Sequence, residues 1–370
     1  MLSEVPLLIA SSADAARDIL KTHDQIFSNR PNSSVANAIY DCKDIAFSSY
    51  GDYWRQMKGI CVNHLLSSKK VQSFRGVREE EVFLVMERIR EAKSVVNLSG
   101  VFADFANDVI CRVALGSKYG DGGKFKKVLE ELGVLLGSFD VGEFVPWLWW
   151  IKFVNGVSGR VRGVARDIDE FLEVMVREHV GRRGEGEKDF VDVLLEDMFA
   201  AGSDTTFTLM EWMLSELIRH KKVMAKLKAE LKRIAGCNSA IAEADLEKCQ
   251  YLKATIKETL RLHPPLPLLV PRESTHDVKL LGYDIAARTR VVMNAWAIGR
   301  DPLLWEDAEK GCPGGAFALG AVELLLANLV LGFEFALLGG EKGEDLDMVE
   351  GDGLTIHRKF PLCVVPICEN

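Results

Sequence analysis

The sequence predicts a mainly α-helical fold with small β-sheets, and three observations carry that reading. Apolar residues recur at three- and four-residue spacing over 53–66, 77–91, 102–115, 124–136, 158–178 and 190–220, the signature of helices with one buried face. Strand-like segments are few and short, at 5–9, 279–285 and 290–294. The most apolar run, 316–338, is interrupted by Glu323, Asn328 and Glu334, which marks a buried helix leading into a strand rather than a membrane span. At 370 residues the chain can form one large domain, 1–370, or two ordinary ones, and it is long enough to enclose a cofactor in a substantial core.

Composition removes several classes of function. Hydrophobic residues at 48% and charged ones at 27% are those of a soluble globular protein. A net charge of -8 argues against a nucleic-acid partner. Cysteines at 42, 61, 111, 237, 249, 312, 363 and 368 form no CxxC pair, which disfavours a zinc knuckle or disulfide framework and suits a reducing compartment. The first ten residues are too short and too interrupted for a signal peptide.

The elements follow in order. After the strand at 5–9, Ser12 or Asp14 caps a helix through Leu20, and 29–34 is a loop. On the helix at 53–66, Trp54 and Lys58 are four apart and share a face. They are either surface packing or an indole and an ammonium that bind an anionic group such as a propionate. Three tryptophans, Trp147, Trp149 and Trp150, fall within four residues and serve either core packing or a loop at a membrane interface. Residues 181–188 are glycine-rich and charged, a surface loop.

The long pattern at 190–220 is centred on Ala201-Gly202-Ser203-Asp204-Thr205-Thr206, poor helix formers amid apolar neighbours. On the functional reading, Gly202 thins the helix for a ligand, and Asp204 and Thr205 pass protons into a dry pocket. The alternative is a kink with a hydroxyl bonded to the preceding turn. Further on, Glu258 and Arg261 are three apart on a helix that Pro264 and Pro265 stop; as an exposed pair they contribute about 0.2–0.5 kcal/mol. The extended segment 266–271 walls a pocket and ends on Arg272, and a further helical piece ends near Trp305. Finally, Gly311-Cys312-Pro313-Gly314 sets a cysteine at the start of the apolar helix, where the helix N-terminus stabilises a thiolate. That cysteine is either a buried cap residue or an iron ligand.

Five of these segments occur in one order that resembles the cytochrome P450 family, the haem-thiolate monooxygenases, and most closely its plant microsomal branch. They are Tyr53-Trp54-Arg55-Gln56-Met57-Lys58, Ala201-Gly202-Ser203-Asp204-Thr205-Thr206, Lys257-Glu258-Thr259-Leu260-Arg261, Pro271-Arg272-Glu273 and Gly311-Cys312-Pro313-Gly314. The resemblance implies the P450 fold, haem b as cofactor and Cys312 as the axial thiolate ligand of its iron. It also implies Asp204 and Thr205 as the acid–alcohol pair that delivers protons, and Trp54, Lys58 and Arg272 as the holders of the haem propionates. Glu258 and Arg261 match a buried bracing pair. By the same resemblance the electron donor is an NADPH-cytochrome reductase, the substrate a small apolar plant metabolite, and the tryptophan loop a membrane contact. The implied location is the cytosolic face of the endoplasmic reticulum, with a soluble chain as the alternative because no anchor helix is legible.

The chain departs from the family pattern at two joins. Leu195 runs straight into Glu196, and Lys310 into Gly311, where the family carries further segments. Lost at the second join are the arginine that completes a triad with Glu258 and Arg261 and the loop that cradles the thiolate. Those losses predict weak or absent haem binding and set an alternative function, a non-catalytic, haem-deficient remnant.

Overall fold

Each long apolar period folds as a helix, and the short alternating segments fold as three small sheets. The computed structural model describes residues 5–368 except 93, 117, 119–121, 139–140, 149, 152–155, 184–187 and 302–314. Its helices are α1 (Ala13–Arg17), α2 (Ser34–Tyr40), α3 (Asp52–Cys61), α4 (Ser68–Ser73), α5 (Arg75–Glu91), α6 (Leu98–Leu115) and α7 (Gly122–Gly137). They continue as α8 (Val141–Phe144), α9 (Val157–Arg183), α10 (Lys188–Arg219), α11 (Lys221–Ala235), α12 (Gln250–Leu262), α13 (Ala295–Arg300) and α14 (Gly315–Gly332). The strands are β1 (Leu7–Ala10), β2 (Val96–Asn97), β3 (Arg272–Glu273), β4 (Val278–Leu280), β5 (Tyr283–Ile285), β6 (Arg290–Met293), β7 (Phe333–Leu337) and β8 (Cys363–Cys368).

The main core lies where α6, α10 and α14 converge. Phe102, Phe105 and Ile110 of α6, Met210, Met213 and Leu214 of α10, and Val322, Leu325 and Leu329 of α14 are all buried there. α14 is apolar around its circumference because it is enclosed on several sides, packing on α5, α10, α11 and α12. Its one polar core residue, Asn328, is satisfied by backbone: Oδ1 accepts from Ile241 N at 2.9 Å, and Nδ2 donates to Ile241 O at 3.0 Å and Leu324 O at 2.8 Å.

A smaller core forms beneath the sheet ordered β1-β6-β3. There β1 runs parallel to β6 with Leu7 opposite Arg290, and β3 runs antiparallel to β6 with Arg272 opposite Val291. Ala10, Ile19, Phe27, Leu280, Val291 and Met293 pack beneath it. A second sheet, β2-β8-β7, closes the chain's end against α5 and α6.

Several sequence readings shift. The segment 279–285 is two strands of a hairpin, because Leu281 and Gly282 adopt positive φ of 48° and 90° and turn the chain back. Gly181–Arg183 continue α9 instead of opening a loop, the helical hydrogen bonding of the preceding turns outlasting the glycine; 184–187 lie outside the described residues. α10 continues through Gly202 and Asp204–Thr206 in unbroken helix, so the packing of α6 along it overrides local propensity. Ser12 is the cap of α1, accepting from Ala15 N at 3.3 Å. Trp305 lies outside the described residues. No described helix is long and apolar enough to cross a membrane.

Candidate active site

Two distant segments cross and place two guanidinium groups together. Glu273 N donates to Asn29 O at 2.9 Å, and Asn29 Nδ2 returns a bond to Glu273 Oε1 at 3.1 Å. Each segment's arginine then reaches the other's backbone. Arg30 Nη1 donates to Val270 O at 3.1 Å and Pro271 O at 2.9 Å, while Arg272 Nη1 donates to Phe27 O at 3.1 Å.

Among the described residues neither arginine has a carboxylate in ion-pair contact. Burial, then the charge of Arg272, pull the Arg30 guanidinium well below its ordinary range, down to about 10, with Asp44 acting weakly the other way. Burial likewise lowers Arg272, opposed by Asp24. A shift of that size means on the order of a few kcal/mol of unfavourable charge burial, which an anion set between the two groups recovers. Arg30 was not singled out by the sequence: its meaning depends on Arg272, and the loop at 29–34 offers no pattern that points there.

Trp54 and Lys58 meet as their spacing predicts, with the Lys58 ammonium 4.7 Å from the indole centroid. The indole N–H, however, donates to Ile45 O at 3.0 Å. Asp44 fixes that carbonyl, its Oδ1 accepting from Ala46 N and Phe47 N, both at 2.7 Å. Trp54 thus braces the loop before α3 and holds the Lys58 ammonium over its ring.

On α10, Asp204 and Thr205 are half-buried. Gly202 does not open the helix to a ligand as expected: a Cβ there would lie 2.8 Å from Ile110 Cδ1, so its bare face admits α6. The Asp204 carboxylate instead meets a residue the sequence did not single out. Thr355 Oγ1 donates to Asp204 Oδ2.

Glu258 and Arg261 pair as their spacing predicts, Arg261 Nε donating to Glu258 Oε2 at 2.6 Å. They are not the buried pair that the resemblance implied, because the Glu258 side chain is 55% exposed; Arg261 uses its remaining capacity on Gly299 O at 2.9 Å. A more deeply buried guanidinium–carboxylate pair lies elsewhere among the described residues. Arg78, 1% exposed, clasps Glu243 through Nε–Oε2 at 2.8 Å and Nη2–Oε1 at 2.5 Å, beneath Gly320 of α14. Cys312 lies outside the described residues; the helix expected after it is α14. Trp149 also lies outside them, while Trp147 and Trp150 are 65% and 49% exposed, against the core-packing reading of those two rings.

Comparison with known proteins agrees with this geometry. The family model described as Cytochrome P450 matches residues 1–310. The chain is 45% identical over 436 residues to "Cytochrome P450 71A6" of Nepeta racemosa, covering 98% of this chain and 85% of the relative. It is 44% identical over 421 residues to a "3-beta-hydroxylase" of Tanacetum parthenium, covering 99% and 84%. Among solved structures, a zebrafish cytochrome P450 with abiraterone superposes with a TM-score of 0.81 at 20% identity, covering 98% of this chain and 93% of that one, a likeness of fold alone.

Proposed function

This chain belongs to the cytochrome P450 family, and from that premise we propose that it is a monooxygenase that hydroxylates a small apolar plant metabolite with dioxygen and electrons from an NADPH-dependent reductase. The observation that carries the reading is the pair of partly buried guanidinium groups, Arg30 and Arg272, with no carboxylate in contact among the described residues. Two cations held close at an energetic cost fit the two carboxylates of a haem, and Lys58 supplies a third positive charge. The relative from Tanacetum parthenium, named a hydroxylase, supports the reaction type.

The family's cofactor is haem, which when bound would supply activation of dioxygen, and the Cys312 thiolate would hold its iron. The chain's own residues take these roles on this reading. Arg30, Arg272 and Lys58 bind and orient the propionates. Asp204 holds and releases a proton at its carboxylate, and Thr205 carries it onward at its hydroxyl. The core packed around α6 and α10 excludes bulk water from that path.

The test is a carbon monoxide difference spectrum of the reduced, haem-supplemented protein. A shifted Soret band supports the proposal. Its absence under saturating haem removes the monooxygenase reading for this chain.

Two observations favour a second reading, a haem-deficient remnant. The alignment with the Nepeta racemosa relative runs over 436 residues and this chain has 370, so at least 66 aligned positions have no residue in this chain. The exposure of Glu258 fits loss of the segment that would cover it, at the Lys310–Gly311 join. Sequencing the transcript across that join and the Leu195–Glu196 join decides whether further segments exist.

Thr205→Ala is expected to uncouple the reaction, raising the ratio of peroxide released to product about tenfold or more while haem content stays constant. Lost haem would make Thr205 structural. The exposed Trp147 and Trp150 suit a membrane surface, where an amphipathic ring is favoured. Replacing Trp147, Trp149 and Trp150 with serine should reduce co-sedimentation with liposomes severalfold; unchanged partitioning counts against membrane contact.

A further inference from the structure

We propose that Thr355 is a positioning residue for Asp204: the turn at 353–355 holds the carboxylate of the relay by a buried hydroxyl and so sets its orientation. The proposal rests on the reading of Asp204 as the relay acid.

Four hydrogen bonds fix the turn. Thr355, 8% exposed, donates its hydroxyl to Asp204 Oδ2. The preceding residue is pinned to α7, with Leu354 N donating to Gly133 O at 2.9 Å. The following residue is pinned on the other side, with Ile356 N donating to Pro265 O at 2.9 Å and Ile356 O accepting from Trp212 Nε1 at 2.8 Å. Beyond it, Arg358 N donates to Glu211 Oε2 at 2.9 Å. Asp204, Phe207, Glu211 and Trp212 recur at helical spacing on α10, and residues 355–358 lie along that face, His357 meeting Phe207 at 5.8 Å between ring centroids.

α7 closes the arrangement. A Cβ on Gly133 would sit 3.7 Å from both Asp204 Oδ2 and Thr355 Oγ1, and one on Gly137 would lie 2.4 Å from Gly353 C and Leu354 N. Two glycines one helical turn apart thus let the α7 backbone lie directly over the turn and cover the bond. A carboxylate that serves a proton relay must keep one geometry from cycle to cycle, and a covered, backbone-anchored hydroxyl supplies that constraint.

The experiment is a double-mutant cycle on the full chain, read first as urea midpoints without added haem. Thr355→Val and Asp204→Asn should each lower the midpoint, with the double variant no lower than the worse single one, and Thr355→Ser should lie near the wild type. Additive losses overturn the proposal. If Thr355→Val does not fold, Asp204→Ala, which removes the acceptor, decides: faster hydrogen exchange of the peptide holding Leu354 and Thr355 supports the contact, and unchanged exchange overturns it.

In the haem-loaded protein, Thr355→Val should raise the peroxide-to-product ratio to the level of Asp204→Asn, about tenfold, and Thr355→Ser should restore coupling. A Thr355→Val variant as well coupled as wild type overturns the positioning role. If Asp204→Asn itself stays coupled while the urea cycle is non-additive, the relay reading of Asp204 fails and the contact stands.

Discussion

Cys312→Ala should abolish the shifted Soret band of the reduced carbon monoxide complex completely, with no change in the unfolding free energy of the haem-free chain beyond about 0.5 kcal/mol. Both halves of the expectation have a physical basis. Only the cysteine sulfur donates enough electron density to give a thiolate-ligated spectrum, and alanine offers the metal no ligand. The fold, by contrast, is held by side chains further along α14, where Val322, Leu325, Leu326 and Leu329 are fully enclosed. Removing one thiol at the helix start leaves that packing intact. A band that survives in the alanine variant means another residue ligates the iron. A variant that unfolds means that Cys312 is a core residue and that its chemistry has been misread.

Glu243→Ala should destabilise the chain by about 3–5 kcal/mol in equilibrium urea unfolding, the largest effect expected of any single surface-to-core substitution here. Arg78 is 1% exposed, and both of its contacts to Glu243 are direct and parallel. Truncating the acid strands a guanidinium whose other bond among the described residues is to Val71 O at 2.9 Å. Because Gly320 lies 3.7 Å, at its would-be Cβ, from Arg78 Nε, the damage reaches α14 directly. Replacing both partners with apolar residues of similar volume should recover most of the loss, since the pair's desolvation is then removed together with its attraction. A loss below about 1 kcal/mol for Glu243→Ala would show that water reaches the pair and screens it.

Local regularities were legible in the sequence. The 3.6-residue period located the long helices, the four-residue spacing put Trp54 over Lys58, and the three-residue spacing joined Glu258 to Arg261. What failed depended on distant neighbours. Gly202 signals a close approach, but only the position of Ile110 on α6 says what approaches. Arg30 and Thr355 sit in segments without periodicity, and each gains its meaning from a residue far along the chain, Arg272 and Asp204. By themselves Glu258 and Arg261 read as a surface ion pair, which the exposure of Glu258 bears out, whereas the burial that the resemblance implied depends on what packs on top.

The parallel pairing of β1 with β6 also constrains the order of folding. Leu7–Ala10 leave the ribosome early and have no strand partner until Arg290–Met293 have been made. Contacts between such remote segments close late, since the entropy of the intervening loop must be lost before they form. Arg30 and Arg272 are joined through this same sheet region, so their like charges meet only once the segment holding Arg272 has been made. Until then the N-terminal strand is an unpaired edge, and the nascent chain is most vulnerable to aggregation and to chaperone capture at its beginning.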